Sequence, residues 1–171
     1  MEHDSDYLGG NAVVVDEPGM PWIFRVPAGW EVDTSRVEDG TLTARDAEAE
    51  SLEYHPNVTL AVRSLPEDFT RVSSEETLRD QASVERTYSE ELHGYRLVDL
   101  AIHQMGLKHE PAVYRLAMYT DEDEVPLTMA QFISRAQGHQ STLTVTWATP
   151  DSRWIGNSQA IASCLERKVS Q

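Results

Sequence analysis

The chain has 171 residues, 40 % of them hydrophobic, which suits a single domain with one core or a domain with a short tail. Its formal net charge of −15 repels phosphate, so we expect no nucleic acid or anionic membrane as a partner, and basic partners are favoured. The single cysteine, Cys164, excludes an intrachain disulfide and any zinc or iron–sulfur site built from several cysteines.

The first 20 residues are polar and contain Gly9-Gly10 and the stretch "DEPGMP", which predicts a loose arm. Residues 12–15 of this arm are apolar enough to add one edge strand. Residues 21–171 are predicted to form a single α+β domain. No basic and apolar leader pattern is present, and no apolar run reaches the roughly 20 residues of a membrane span. We expect a cytoplasmic chain; the alternative is an exported domain without its signal peptide.

Strands dominate the first part of this domain. Residues Pro27-Ala28-Gly29 end the first strand, and Asp39-Gly40 between Val37 and Leu42 predicts a two-residue hairpin turn. Apolar residues at every second position predict one strand at Trp22, Phe24 and Val26. The same alternation predicts another strand at Val58, Leu60 and Val62.

A helix is predicted over residues 73–92. Ser73 and Glu76 form a capping box, in which the serine oxygen accepts a free backbone N–H and the glutamate reaches back. Apolar residues then recur at four-residue spacing for about five turns. Gly94 lies just beyond the last turn, where a glycine commonly ends a helix.

Four further strands and a second helix are predicted. Val98, Leu100 and Ile102 share one face of the first of these strands, and the last helix starts with Thr149 as its cap and Pro150 at its first position. An apolar stripe runs along this helix through Leu165 to Val169. The fold class is therefore α+β: a twisted antiparallel sheet of about six to seven strands with two main helices packed on it. The four strands cover residues 95–103, 112–120, 127–134 and 141–149.

No motif for catalysis or for a cofactor is present. The sequence lacks a Gly-x-Ser-x-Gly elbow and any glycine-rich phosphate loop, and its six histidines lack metal-binding spacing. Asp121 to Glu124 are consecutive acids, which form either a solvated loop or a weak divalent-cation site. Cys164 is either a core residue or a reactive thiol. We expect no catalytic residue, no cofactor and no metal, and therefore no enzyme.

Aromatic and hydroxyl side chains are the remaining candidates. The four tryptophans have apolar neighbours in register, so they either pack in a core or form a stacking groove. They are Trp22, Trp30, Trp147 and Trp154. The alternation of the last strand places three threonines on the face opposite Leu143 and Val145. This row, Thr142, Thr144 and Thr146, is the candidate partner-binding surface.

The order of these segments resembles a known fold. The stretch "FRVPAGWEV" resembles the F-x-x-P-x-G-W hairpin that opens PsbP-like domains. "PNVTLAVRSLPE", the capped helix, "GYRLVDL" and "PAVYRLAMYT" follow in an order similar to the actinobacterial LpqN family, over residues 22 to about 168. The chain departs from that family in having no lipobox cysteine near its N-terminus.

This resemblance implies a Mog/PsbP-like fold whose members act mainly by binding other proteins, with no common catalytic residues to transfer. We therefore predict a non-catalytic protein-binding module, an adaptor or chaperone-like accessory protein associated with secretion or the envelope. Its partner would be a protein with a basic or apolar segment. The alternative is a small-molecule or metal-binding domain, and an enzyme is the least favoured reading.

Overall fold

The computed structural model describes residues 12–48, 54–67 and 72–169. The first part of the chain is built from strands β1 (Val13–Val15), β2 (Trp22–Val26), β3 (Trp30–Asp33), β4 (Thr41–Asp46) and β5 (Asn57–Ser64). Two helical segments follow, α1 (Ser74–Ser83) and α2 (Glu85–Glu91). The remaining elements are β6 (Arg96–Met105), β7 (Glu110–Thr120), β8 (Pro126–Ala136), β9 (His139–Ala148), α3 (Arg153–Ser163) and β10 (Glu166–Arg167).

The main sheet has seven antiparallel strands in the order β3-β4-β5-β9-β8-β7-β6. Strand β5 joins the two halves by pairing with β9, where Leu60 lies opposite Leu143. A second sheet, not predicted, has the order β1-β2-β10. The predicted α+β class, a sheet of about seven strands with two main helices, is confirmed.

The core lies between one face of the main sheet and a layer formed by β2 and α3. Every second residue of β2 is buried, as the alternation of Trp22, Phe24 and Val26 predicts. The Trp22 indole nitrogen donates a 2.8 Å hydrogen bond to Ser141 Oγ, which ties the small sheet to β9. On α3, the Trp154 ring lies 5.6 Å from that of Trp30. Burial of these large aromatic rings contributes to stability on this side of the sheet.

The helix predicted over residues 73–92 is present but bent. Its capping box forms as predicted, with Ser73 Oγ accepting from the Glu76 N–H and the Glu76 carboxylate accepting from the Ser73 N–H. The helix is interrupted at Val84, which separates α1 from α2. The bend allows both segments to follow the twisted sheet beneath them.

Three local predictions are wrong. Asp39-Gly40 is not a two-residue hairpin turn; a 3₁₀ turn over Val37–Asp39 precedes Gly40, which adopts the left-handed conformation. The last helix starts at Arg153 with Ser152 at its cap, because Thr149 and Pro150, the predicted cap and first residue, lie in the turn before it. It ends at Ser163, because residues 166 and 167 pair with β2 instead of continuing the helix. Val169, predicted to lie on its apolar stripe, is 82 % exposed.

Strand β6 forms an edge of the main sheet. The predicted apolar face of Val98, Leu100 and Ile102 is not buried: Val98 is 53 % exposed, and Ile102 is exposed as well. A register shift between Leu97 and Asp99 places Val98 in a bulge. Bulges are common on edge strands, where they disturb the regular edge that another strand could pair with.

Candidate functional site

A groove of about 320 Å³ lies between the bent helix and the face of the main sheet that this helix covers. Its volume falls at the lower end of the range for small-molecule sites, about 300–1,000 Å³. We call it the polar groove, because most of its side chains carry polar groups. Its lining residues are Ala61, Arg63, Gln81, Val84, Tyr88, Gln131, Ile133, Gln140, Thr142 and Thr144.

A fully buried arginine lies behind the groove. Arg115 is in the middle of β7 with no exposed surface. Its Nε donates to Glu85 Oε1 at 2.7 Å, and its Nη1 donates to the side-chain oxygens of Gln81 at 3.0 Å and Gln131 at 2.8 Å. Its Nη2 donates to the Gln81 carbonyl at 2.8 Å. A buried charge is tolerated only when it is paired and hydrogen-bonded, and here both conditions are met.

Two tyrosines complete this cluster. The Arg115 guanidinium lies 4.9 Å from the centre of the Tyr88 ring, a cation–π contact, and the Tyr88 and Tyr95 rings stack at 5.5 Å. The Tyr95 hydroxyl donates to Glu85 Oε2 at 2.7 Å. Burial raises the pKa of Tyr95 well above its usual range, and its hydrogen bond to Glu85 raises it further. The cluster therefore fixes the bent helix against the sheet and positions the groove.

A second arginine orients the far side of the groove. Arg135 Nε donates to Gln140 Oε1 at 2.8 Å, and its Nη1 pairs with Asp80 on α1. The third arginine, Arg63, lines the groove directly and is exposed. Within the described ranges, no carboxylate lies at ion-pair distance from Arg63. Among the described residues, the groove therefore presents one cation, Arg63, without a neutralising carboxylate.

The predicted partner-binding threonines are only partly brought together. Thr142 and Thr144 line the polar groove. Thr146 does not; it is only 6 % exposed. The expectation that all three form an exposed row is therefore wrong for Thr146, because the neighbouring residues cover that end of the face.

The tryptophans and Cys164 belong to the opposite face of the sheet. All four tryptophans are buried in the core or pack against it, so they do not line the polar groove. Trp22 also lies 4.1 Å below the Arg167 guanidinium. Cys164 is buried in the same core.

In the part of the chain that the structure describes, the acidic loop and the histidines show no convergent metal-binding arrangement. Asp121 Oδ1 accepts from the backbone N–H groups of Asp123 and Val125, so this carboxylate holds the loop between β7 and β8 in shape. Among the described residues, no group of three or more His, Cys, Asp and Glu side chains is placed to hold a metal ion. In the same part of the chain, no helix has the length and apolar composition needed to cross a membrane.

Comparisons with known proteins identify the fold. No family model and no curated protein matches the chain. The crystal structure of LpqN, involved in cell envelope biogenesis of Mycobacterium tuberculosis, matches with a TM-score of 0.63 at 14 % identity, covering 98 % of both chains. The solution structure of cyanobacterial PsbP from Synechocystis matches with a TM-score of 0.57 at 13 % identity, covering 94 % of this chain and 96 % of that one.

Yeast Ran-binding protein Mog1p matches with a TM-score of 0.53 at 10 % identity, covering 87 % of this chain and 84 % of that one. The chain has a PsbP/Mog-like fold. It spans 48 % of the length of a longer matching protein from Bacteroides thetaiotaomicron. At these identities the likeness establishes the PsbP/Mog-like fold and carries no site residue across.

Proposed function

We propose that this PsbP/Mog-like chain is a non-catalytic protein-binding module, an adaptor or chaperone-like accessory protein, and that it holds a segment of its partner in the polar groove. This proposal rests on one observation: the groove is held rigidly, and two of its binding groups have no partner among the described residues. Arg115 and its partners fix the helix on the sheet, while Arg63 and the Thr142 hydroxyl have no partner in the described part of the chain.

The charge of the chain and its structural neighbours narrow the class of partner. A net charge of −15 accelerates association with a partner whose surface is basic, and an apolar stretch of that partner packs on the half-buried Ala61 and Val84. LpqN takes part in cell envelope biogenesis and Mog1p binds Ran, which supports an accessory role near the envelope or with another protein. We propose that residues 21–171 act as one domain, in the cytoplasm or, as the alternative, after export.

Site-specific photo-crosslinking in the organism of origin tests this proposal. A benzophenone amino acid placed at Thr142 should capture one discrete partner protein, identified by mass spectrometry of the cross-linked peptide. The same amino acid at Ser35, an exposed position in the loop between β3 and β4, is the control and should not capture it. The proposal fails if Thr142 captures nothing, or if both positions capture the same set of proteins.

A second candidate is a small-molecule-binding domain. The groove volume of about 320 Å³ and its mixture of amide, hydroxyl and guanidinium groups favour it. Native mass spectrometry of the purified chain should then show a bound species of defined mass, which Thr142→Leu removes. A mass equal to that of the bare chain under gentle conditions would argue against this candidate.

A further inference from the structure

We infer that the polar groove recognises a carboxylate, which Arg63 and the side-chain donors around it bind. This inference deepens the proposed function and rests on it for the source of the carboxylate: an acidic side chain or chain end within a partner protein whose surface is otherwise basic. A free small carboxylate offers the same chemistry.

Two glutamines of the groove are oriented so that their side-chain N–H₂ groups are available to donate to a ligand. Gln81 Oε1 accepts from Arg115 Nη1, and Gln140 Oε1 accepts from Arg135 Nε. A guanidinium only donates, so each amide must turn its oxygen toward the arginine. In the described residues neither amide nitrogen has a partner, and no buried side-chain nitrogen or oxygen lacks one, so both nitrogens reach solvent. Both glutamines line the groove, where they act as donors.

The same logic extends to Thr144. Arg115 Nη1 fixes the oxygen of the Gln131 amide, which leaves Gln131 Nε2 to donate to Thr144 Oγ1 at 3.2 Å. Because the threonine oxygen accepts this bond, its hydroxyl hydrogen is directed away from Gln131 and is available to a ligand. The buried charge of Arg115 thus sets the direction of hydrogen bonding in three residues of the groove, Gln81, Gln131 and Thr144.

Arg63 adds the charge. It lies on β5 opposite Gln140 in the strand register, so the guanidinium and the Gln140 amide flank the same end of the groove. The other two arginines of this region are neutralised, Arg115 by Glu85 and Arg135 by Asp80. Among the described residues, the one unpaired charge of the groove is therefore positive, in a chain with 29 acidic and 14 basic residues.

Donors and one cation select a ligand that is an acceptor and an anion. A carboxylate fits, because its two oxygens accept from the fork of one guanidinium and have lone pairs left for amide and hydroxyl donors. A phosphate carries up to two charges and meets stronger repulsion from the acidic chain as a whole. The net negative charge of the chain is screened beyond roughly 10 Å, whereas the guanidinium, amide and hydroxyl donors act at hydrogen-bond distance. The local donors therefore decide whether a carboxylate binds.

Titrations followed by nuclear magnetic resonance of the ¹⁵N-labelled full chain test the inference. The probes are acetate and its uncharged analogue acetamide, the capped peptides Ac-Gly-Glu-Gly-NH₂ and Ac-Gly-Gln-Gly-NH₂, and inorganic phosphate. We expect acetate and the glutamate peptide to shift the Arg63 Nε–H signal and the side-chain amides of Gln81 and Gln140, and acetamide and the glutamine peptide to leave them unchanged. Tighter binding of the peptide than of acetate assigns the carboxylate to a protein partner, and equal affinity assigns it to a small molecule.

Arg63→Gln should weaken acetate binding about tenfold or more, the effect of losing a charge-assisted hydrogen bond. Arg96→Gln is the matched control, since Arg96 is an exposed arginine of β6 outside the groove. Both changes are on the surface, and the thermal midpoint of each variant checks that it folds. The inference is overturned if acetamide binds as well as acetate, if phosphate binds more tightly than every carboxylate, or if the two variants lose affinity equally.

The two proposals can fail separately. A partner captured at Thr142 together with no carboxylate binding removes this inference and leaves the protein-binding function in place. Carboxylate binding with no captured partner supports the inference and replaces the protein partner by a small carboxylate.

Discussion

Arg115 Nε lies 2.7 Å from Glu85 Oε1, and this ion pair joins the middle of β7 to the first turn of α2. The arginine is completely buried, whereas the glutamate keeps 21 % of its side chain exposed. The pair, together with the hydrogen bonds of Arg115 to Gln81 and Gln131, holds the helical wall of the polar groove against its sheet floor. The integrity of the groove therefore depends on a charge buried in the sheet.

Removing the charge of Glu85 should destabilise the fold. Glu85→Gln leaves the Arg115 guanidinium buried without its counter-charge, which costs about 3 kcal/mol or more. Chemical denaturation gives the change in unfolding free energy. Glu90→Gln is the matched control, because Glu90 pairs with Arg86 on the exposed side of α2 and its loss should cost about 0.5 kcal/mol or less. Equal losses in the two variants would show that Arg115 does not need Glu85.

Trp30→Ala should also destabilise the chain, by about 3–5 kcal/mol, because it empties the space of a large ring in the core. Trp30 is 8 % exposed and its ring lies 5.6 Å from that of Trp154. Urea titration measures the loss. Since Trp30 lies on the face of the sheet opposite the groove, the folded fraction of the variant should keep its groove ligand. A stable variant without binding would mean that Trp30 itself binds the ligand.

Gly40 should tolerate alanine less well than Gly19. Both have positive φ, +75° and +89°, so an alanine at either position costs about 1–2 kcal/mol of backbone strain. At Gly40 the added Cβ also meets the Val62 carbonyl oxygen of β5, whereas at Gly19 no atom lies within 4 Å. We expect Gly40→Ala to lower the unfolding free energy by at least about 1 kcal/mol more than Gly19→Ala. Equal values would mean that β5 moves to accommodate the methyl group.

Stability should fall at alkaline pH. Burial raises the pKa of Tyr119 from 10.0 to about 12, with the charges of Tyr54 and Asp121 adding to the effect. The folded state therefore holds this proton more tightly than the unfolded state, and its contribution, complete below pH 10, is lost as the pH rises toward 12. Denaturation at a series of pH values should show this decline, and Tyr119→Phe should make it shallower. An unchanged slope in Tyr119→Phe would assign the decline to other groups.

The regular parts of the fold could be predicted because local pattern and tertiary environment agree. The alternation of Trp22, Phe24 and Val26 matches their burial, and the capping box at Ser73 and Glu76 forms. The end of the last helix could not be predicted. Leu165 keeps helical spacing and is buried, but the chain has already turned, because Arg167 pairs with Trp22 of β2. A long-range strand pairing thus overrides the helical period.

The polar groove could not be predicted from local sequence patterns, for a different reason. Its residues come from β5, the bent helix, β8 and β9, so Arg63, Gln81 and Gln140 meet only in the folded chain. The threonines found by alternation are two members of this set, Thr142 and Thr144. One signal was present in the sequence: Arg115 interrupts the otherwise apolar stretch "AVYRLAM", and an arginine within a buried strand requires a partner.

The central claim, that the polar groove holds a partner segment through a carboxylate, is tested most directly by competition. The chain with the photo-crosslinker at Thr142 is irradiated in lysate of the organism of origin, with increasing Ac-Gly-Glu-Gly-NH₂ or the matched glutamine peptide. We expect the glutamate peptide to abolish the cross-link to the partner and the glutamine peptide to leave its yield unchanged. A cross-link whose yield neither peptide alters, or both alter equally, would contradict the claim.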